Sequence, residues 1–188
     1  MKYKTIVIDP PWDIPHAFSG KTFQGGKLRD NIGYNTLEDE QIIDFPIDEY
    51  AADNCLLFLW TTAGKTKKGI PIMSLALKAV KKWGFNYRLW LYWVKPTGFA
   101  VFLPFRSSVE PILFATRGEH NIPPYGKFSN VIEAPNTGHS QKPAKFYQLL
   151  RGWTPEPRID IFARRHHVGF DGWGDEYVGE GPLEEFLE

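Results

Sequence analysis

The chain has 188 residues, a length typical of one domain, and its 43% hydrophobic and 15% aromatic content excludes an intrinsically disordered protein. Its formal net charge is zero, which argues against a protein that binds any polyanion through charge alone. The single cysteine, Cys55, excludes an intrachain disulfide and favours an intracellular protein.

In chain order, the sequence predicts a strand at residues 4–9, a short helix capped by Thr36 with Asp39 at the capping-box position, a strand at 55–61, a helix from Pro71 to Gly84, strands at 87–95 and 109–116, a helix from Pro143 to the residue before Gly152, and a strand at 158–163. Several of these strands are apolar on both faces, as buried strands are. Strands that alternate with helices predict an α/β fold with a mostly parallel central sheet flanked by helices.

Three segments, 13–33, 96–108 and 119–139, are rich in glycine, proline and polar residues and receive no predicted element. Loops of this length within one domain tend to be functional. We therefore expect these loops to border the functional site and to become ordered when the substrate binds. We also expect a single domain at residues 1–178, followed by an acidic tail at residues 179–188.

The amino terminus has no signal-peptide pattern, and the longest uninterrupted apolar run, residues 55–60, is far shorter than a membrane span. We therefore expect a cytoplasmic protein with no membrane partner. The five histidines lack ligand spacing with one another or with Cys55, so we expect no metal site.

The charges are unevenly distributed along the chain. Residues 1–174 carry 22 bases and 16 acids, a net charge of +6, whereas residues 175–188 carry six acids and no base. Lysines are concentrated at residues 65–82, and a second basic cluster lies at residues 164–167. These clusters are either solvated faces or the walls of a nucleic-acid groove, and in the second case affinity falls steeply with salt.

The first predicted strand leads directly into Asp9-Pro10-Pro11-Trp12. An ionised Asp9 offers only acceptor oxygens, and a proline holds the residue before it in an extended conformation. A carboxylate and one or two fixed carbonyls can thus converge on both hydrogens of an exocyclic amino group. Two such acceptors favour the pyramidal form of an adenine amino group, in which the nitrogen lone pair becomes available.

Trp12 has two interpretations. Its ring can stack on a base, an interaction that contributes roughly 1 to 3 kcal/mol, or it can fill the core behind a proline-stiffened turn.

Further segments match one family in the same order along nearly the whole chain, from residue 4 to about residue 176. They are Asp9-Pro10-Pro11-Trp12, Tyr34-Asn35-Thr36-Leu37, Leu57-Phe58-Leu59-Trp60-Thr61, Trp83-Gly84-Phe85, Trp93-Val94-Lys95, Glu110 before an apolar strand, His139-Ser140-Gln141-Lys142-Pro143, Ile161-Phe162-Ala163-Arg164, and Gly172-Trp173-Gly174-Asp175-Glu176. The chain resembles the MT-A family of S-adenosylmethionine-dependent adenine-N6 methyltransferases, which includes the catalytic subunit of the eukaryotic mRNA adenosine methyltransferase.

The resemblance implies a Rossmann-like methyltransferase fold of the permuted β class, with S-adenosylmethionine as cofactor and nucleic acid as partner. It implies the following roles: catalysis by Asp9, Pro10, Pro11 and Trp12; substrate binding by Tyr34, Trp60, Lys95 and Glu110; and cofactor binding by Asp9, Lys142, Phe162, Arg164, His166, Asp175 and Glu176. Trp60 and Trp93 are equally well explained as core residues at strand ends. Glu110 enters an apolar strand, where a buried acid needs a partner.

Two departures from the family pattern stand out. Asp175 replaces a common asparagine, and the sequence begins at the catalytic strand. We expect methylation of adenine in DNA, because the chain is short and shows no separate RNA-binding module. RNA methylation and a non-catalytic partner subunit are the alternatives, the second disfavoured because Asp-Pro-Pro-Trp is retained. We expect a monomer or a homodimer.

Overall fold

The fold is built around one seven-stranded sheet, in a computed structural model that describes residues 1–15, 36–96, 100–102, 105–120, 122–123, 126–136 and 141–174. In chain order the elements are β1 (Tyr3–Ile8), α1 (Asp39–Ile43), a 3-10 helix (Ile47–Glu49), β2 (Ala51–Trp60), α2 (Ile72–Lys82), β3 (Asn86–Val94), β4 (Ala100–Phe102), β5 (Phe105–Ser107), β6 (Val109–Arg117), β7 (Val131–Glu133), α3 (Ala144–Arg151), β8 (Arg158–Ile161) and β9 (Asp171–Trp173). The strand order of the sheet is β7-β3-β6-β2-β1-β8-β9, and β4 pairs with β5 in a separate hairpin.

The sheet is mixed, so the predicted parallel arrangement is only partly correct. β1 pairs in parallel with β2 and β8, and the β8–β9 and β3–β7 pairs are also parallel. β6 is antiparallel to both of its neighbours, β2 and β3. The described chain between β3 and β6 forms the β4–β5 hairpin rather than a helical crossover, and parallel neighbours require a crossover.

Helices cover both faces of the sheet, as predicted. On one face, α1 and α2 pack on Ile6 and Ile8 of β1, and on the other face α3 packs on Val7. Cys55 is buried in the first of these cores. Apolar side chains on both sides of the central strands therefore hold the two helical layers together.

The end of α2 follows from Gly84. Its φ of +72° lies in the left-handed region, which glycine adopts at little cost. The Gly84 N–H donates to the Lys81 carbonyl at 3.2 Å, and the Phe85 N–H donates to the Val80 carbonyl at 3.0 Å. This is the Schellman pattern of a helix terminus, and it directs the chain into β3.

The predicted cap of α1 was wrong. The helix begins at Asp39, and the backbone N–H of Glu38 donates to Gln41 Oε1 at 2.9 Å, which completes a capping box two residues later than expected. Thr36 instead donates to Asp13 Oδ1 at 2.9 Å. Asp39 is buried and accepts from Thr66 Oγ1 at 3.3 Å.

The four strands β4, β5, β7 and β9 were not predicted. Each has three residues, too few for an alternation of apolar and polar positions to be visible. β4, β5 and β7 lie within the segments left without an element, and the ordering of those segments on binding stays a prediction. The predicted tail at residues 179–188 lies outside the described residues. Within the described ranges, no helix is long and apolar enough to cross a membrane.

We expect Phe146→Ala to destabilise the fold by about 3 to 5 kcal/mol, the usual range for removing a buried phenylalanine. The Phe146 ring is fully buried and packs against Phe58 and Trp60, with centroids 5.9 and 5.0 Å away. Urea unfolding followed by circular dichroism measures the loss. Leu77→Ala, at a position 43% exposed on α2, is the control. A loss no larger than that of the control would contradict the assigned packing of α3.

Candidate active site

Adjacent parallel strands bring the two predicted site segments to one edge of the sheet. Asp9 follows β1, and Phe162 follows β8. The Asp9 N–H donates to the Ile161 carbonyl at 3.2 Å, which continues the ladder into the site. The carboxyl ends of parallel strands are the usual place for a ligand in an α/β sheet.

A narrow cleft opens at this edge, between the ends of β1 and β8 and the start of α3. It is lined by predicted and unpredicted residues together: Asp9, Gln141, Lys142, Tyr147, Asp160, Phe162, Ala163, Arg164, Arg165 and His167. His166, which was also predicted to bind the cofactor, lies between Arg165 and His167 in sequence and is half-buried. The predicted residues Tyr34, Asp175 and Glu176 lie outside the described residues.

The turn after β1 is fixed by backbone hydrogen bonds. The Trp12 N–H donates to the Pro10 carbonyl at 2.8 Å, and the Leu37 N–H donates to the Pro11 carbonyl at 2.9 Å. A carbonyl oxygen has two lone pairs, so each of these oxygens keeps the capacity to accept a second hydrogen bond.

The structure assigns Trp12 to the core. Its side chain is 6% exposed, and its indole N–H donates to the Trp60 carbonyl at 3.1 Å. Trp60 and Trp93 are also buried, at 0% and 1% exposure. All three rings are therefore core residues, as one of the two interpretations of each proposed. Contact of Trp60 with a substrate stays a prediction.

Four charged side chains of alternating sign form a continuous network across the site. Lys142 Nζ lies 3.2 Å from Asp9 Oδ2 and 3.0 Å from Glu110 Oε2. The other oxygen of Glu110 accepts from Lys95. The network thus joins predicted cofactor residues, Asp9 and Lys142, to predicted substrate residues, Glu110 and Lys95.

Two tryptophan rings support the cations of this network. Lys142 Nζ lies 4.6 Å from the centroid of the Trp60 ring, and Lys95 Nζ lies 4.5 Å from the centroid of the Trp93 ring. An ammonium group over an indole face is attracted by the ring quadrupole. These buried rings therefore place the two lysines.

The network sets the ionisation of its members. Burial raises the pKa of Asp9, and the nearby Glu110 adds to this effect, while Lys142 opposes it. Burial acts in the same direction on Glu110, but the two lysines outweigh it and hold the pKa of Glu110 below its usual value. Burial alone would lower the pKa of Lys142, yet Asp9 and Glu110 raise it. Lys142 is thus charged at neutral pH.

Sequence reasoning missed a second buried cluster in the cleft, formed by Asp160, Tyr147 and His167. The Tyr147 hydroxyl donates to Asp160 Oδ2 at 2.8 Å, and the Tyr147 and His167 rings stack with centroids 3.5 Å apart. Burial, with a contribution from Asp9, raises the pKa of Asp160 to about 8. Asp160 Oδ1 is buried without a hydrogen-bond partner among the described residues. The available signal was an acid inside the apolar strand Ile159-Asp160-Ile161, the same signal that singled out Glu110.

Backbone strain marks the other wall of the cleft. Phe162 has a φ of +62°, which is unfavourable for a residue with a side chain. Its ring packs against Phe45 and Trp173, with centroids 5.3 and 5.4 Å away. This packing, on the α2 side of the sheet, holds the strained residue in place. No group of three His, Cys, Asp or Glu side chains in the described part of the chain is arranged to hold a metal ion.

The fold and cleft define an α/β protein with a charged candidate site at the carboxyl ends of β1 and β8. The chain belongs to the MT-A70 family, whose model matches residues 3–176. This family comprises adenine-N6 methyltransferases.

Three relatives illustrate the range of the family. The type II methyltransferase M.MunI of Mycoplasma sp is 29% identical, over 93% of this chain and 78% of that protein. The human N(6)-adenine-specific methyltransferase METTL4 is 26% identical, over 98% of this chain and 39% of that protein. The N6-methyladenosine RNA methyltransferase MTA1 of Pyricularia oryzae is 29% identical, over 94% of this chain and 47% of that protein. The chain thus spans less than half of these two eukaryotic relatives.

We expect Asp160 to make the free energy of unfolding fall as pH rises between about pH 6.5 and pH 8. Its pKa of about 8 in the folded state exceeds the value of about 3.9 for an unfolded aspartate. The folded state therefore holds the additional proton, and the free energy of unfolding falls as pH rises through this range. Burial lowers the pKa of His167 to about 3, so the contribution of His167 rises with pH only up to about 6.5.

Urea unfolding at pH 6.5 and pH 8.0 measures this effect. The wild-type protein should lose on the order of 1 to 2 kcal/mol between the two values, and Asp160→Asn should lose clearly less. Asp53→Asn, at an exposed position on β2, is the control and should keep the wild-type slope. Equal slopes in wild type and Asp160→Asn would refute the assignment.

Proposed function

We propose that this protein is an S-adenosylmethionine-dependent methyltransferase that methylates the exocyclic amino group of adenine in DNA. The observation that carries the proposal is the position of Asp9. Its carboxylate stands at the end of β1 in the cleft, beside Lys142 at 3.2 Å, within a chain of the MT-A70 family. In this proposal the sheet has the Rossmann-like methyltransferase architecture.

The side chains of the cleft fit the cofactor chemically. S-adenosylmethionine has an ammonium group, a carboxylate and ribose hydroxyls. Lys142 and Arg164 supply positive charge for a carboxylate, and Asp9 supplies acceptors for donor groups. Asp160 Oδ1, which has no hydrogen-bond partner among the described residues, offers a further polar contact. Phe162, His166, Asp175 and Glu176 complete the proposed set by resemblance to the family. When bound, the cofactor supplies an electrophilic methyl group on a sulfonium centre.

The residues after β1 would activate the acceptor. The lone pair of an adenine amino nitrogen is delocalised into the ring, so that nitrogen is a weak nucleophile. Hydrogen bonds from its two hydrogens to Asp9 and to the free lone pair of the Pro10 carbonyl would favour the pyramidal form. Alignment with the methyl donor then supplies most of the rate acceleration.

The proton released after transfer needs no strong base, because the methylated nitrogen is very acidic until it loses that proton. Burial raises the pKa of Asp9, so its carboxylate is well suited to accept the proton. On a duplex, the target base must first leave the stack, which costs a few kcal/mol.

The choice of polymer rests on two observations that point in different directions. The similarity to the type II methyltransferase M.MunI, of which the chain covers 78%, favours DNA. The similarity to MTA1, an RNA methyltransferase by its name, favours RNA as the second candidate. A non-catalytic partner subunit is disfavoured because the chain keeps Asp9-Pro10-Pro11-Trp12. Titration calorimetry with S-adenosylmethionine tests this last alternative, since a scaffold should not bind the cofactor.

We expect Asp9→Ala to abolish methyl transfer while at least part of the cofactor affinity remains. The variant loses an acceptor for the amino group but keeps Lys142 and Arg164. Tritium transfer from labelled S-adenosylmethionine measures activity, and calorimetry measures cofactor binding. Asp53→Ala, at an exposed position on β2, is the matched control and should keep full activity. Full activity in Asp9→Ala would refute the mechanism.

We expect the wild-type protein to produce N6-methyladenine in DNA faster than N6-methyladenosine in RNA of the same sequence. Digestion of each polymer to nucleosides and mass spectrometry measure the products directly. Single-stranded and duplex forms of both polymers are assayed in parallel with Asp9→Ala as the blank. A higher rate on RNA would replace the DNA assignment, and no product on either polymer would overturn the proposed function.

A further inference from the structure

A second cleft, the distal groove, lies on the α3 face of the sheet, toward the C-terminal end of α3. Its volume is about 560 Å³, within the range of small-molecule sites. Its floor includes Phe58, Leu91 and Phe114 from three adjacent strands, and Trp153 lines the side next to α3. The outer wall is formed by described residues between 120 and 130.

The rim of the distal groove is positively charged. Arg88 Nε donates to Thr116 Oγ1 at 2.7 Å, and another guanidinium nitrogen lies 3.3 Å from His120 Nε2. Lys127 adds a third basic side chain. The described residues that line the groove include no Asp or Glu, and the sequence from residue 120 to residue 130 contains none either. The ligand that fits this rim is an anion.

Aromatic rings lie beside these cations. Phe128 stacks on Trp153 with centroids 5.9 Å apart and planes 25° apart, and Phe128 is 39% exposed. Lys127 Nζ lies 5.4 Å from the centroid of the Phe128 ring. A basic groove with exposed aromatic faces is typical of proteins that bind single-stranded nucleic acid, whose bases stack while its phosphates pair with cations. The centre of a protein interface is instead depleted of charged residues.

The groove shares a face of the sheet with the candidate active site. Glu110 and Phe114 lie on β6, and alternate residues of a strand point to the same face. Four residues along a strand correspond to about 13 Å. A strand of nucleic acid whose target base reaches Asp9 thus needs only a few further nucleotides to reach the groove.

We propose that the distal groove binds the single strand of nucleic acid a few nucleotides away from the target adenine. This inference rests on the proposed function, and it adds a second contact area that carries no chemistry. Substrates long enough to reach the groove would gain affinity over short ones, and that gain would depend on Lys127 and Phe128.

The test compares the specificity constant, kcat/KM, for a 5-nucleotide and a 25-nucleotide single strand that contain the same target. Lys127→Glu and Phe128→Ala should each reduce the ratio of kcat/KM for the 25-nucleotide strand to kcat/KM for the 5-nucleotide strand by about tenfold. For Lys127→Glu, the slope of log affinity against log salt should also fall by about 0.7 per lost phosphate contact. Lys81→Glu, which makes the same change of charge on an exposed part of α2, should leave the ratio at its wild-type value.

Fluorescence anisotropy with the labelled 25-nucleotide strand separates this inference from the proposed function. Binding that weakens in Lys127→Glu, without methyl transfer by any variant, would support the groove and overturn the function. Methyl transfer with a ratio that does not change in the groove variants would overturn the groove and keep the function. A change of oligomeric mass in Lys127→Glu by analytical ultracentrifugation, with an unchanged ratio, would assign the groove to a protein interface instead.

Discussion

The ion pair between Asp9 and Lys142 is the interaction on which the candidate site depends. A carboxylate recessed at a strand end tends to bind a proton, because burial disfavours its charged form, and a protonated Asp9 would lose acceptor capacity. Lys142 opposes this tendency from 3.2 Å away. Lys142 is itself recessed and needs its second carboxylate, Glu110 at 3.0 Å, because buried charges are costly unless they are paired. At the far end of the network Lys95 donates to Glu110, so that the two carboxylates are matched by two ammonium groups.

The antiparallel direction of β6 makes this network possible. Because β6 runs opposite to β1 and β2, its first residues lie at the edge where the other strands end. Glu110 therefore reaches Lys142, while Arg117, at the end of β6, lies at the opposite edge and pairs with Asp48. In a wholly parallel sheet these two positions would be exchanged, with a basic residue beside Lys142. The exception to the predicted topology is thus part of how the site is assembled.

The sequence was sufficient for the elements and residues that have strong local signals. Apolar runs predicted the five strands that have four residues or more, and proline and glycine marked α2 and α3, because these patterns reflect burial and backbone geometry. The acid inside an apolar run indicated Glu110 for the same reason. Strand direction and the Asp160–Tyr147 pair depend on contacts between segments that are separated along the chain, so no local pattern encodes them. The three-residue strands are too short to show an alternation of apolar and polar positions. Glu110 and Lys142, 32 residues apart in sequence, meet only through the order of the strands.

The tryptophans show how one residue type serves packing and chemistry together. By resemblance Trp60 was a candidate for substrate binding, with a place in the core as the alternative for both Trp60 and Trp93. Both rings are buried, and each lies under an ammonium group. A lysine side chain has several rotatable bonds and is poorly placed by a single ion pair. The indole face below Lys142 and the two carboxylates beside it restrict that freedom together. Burial of Trp60 in the α3 core therefore transmits the packing of a helix to the position of a charge next to Asp9.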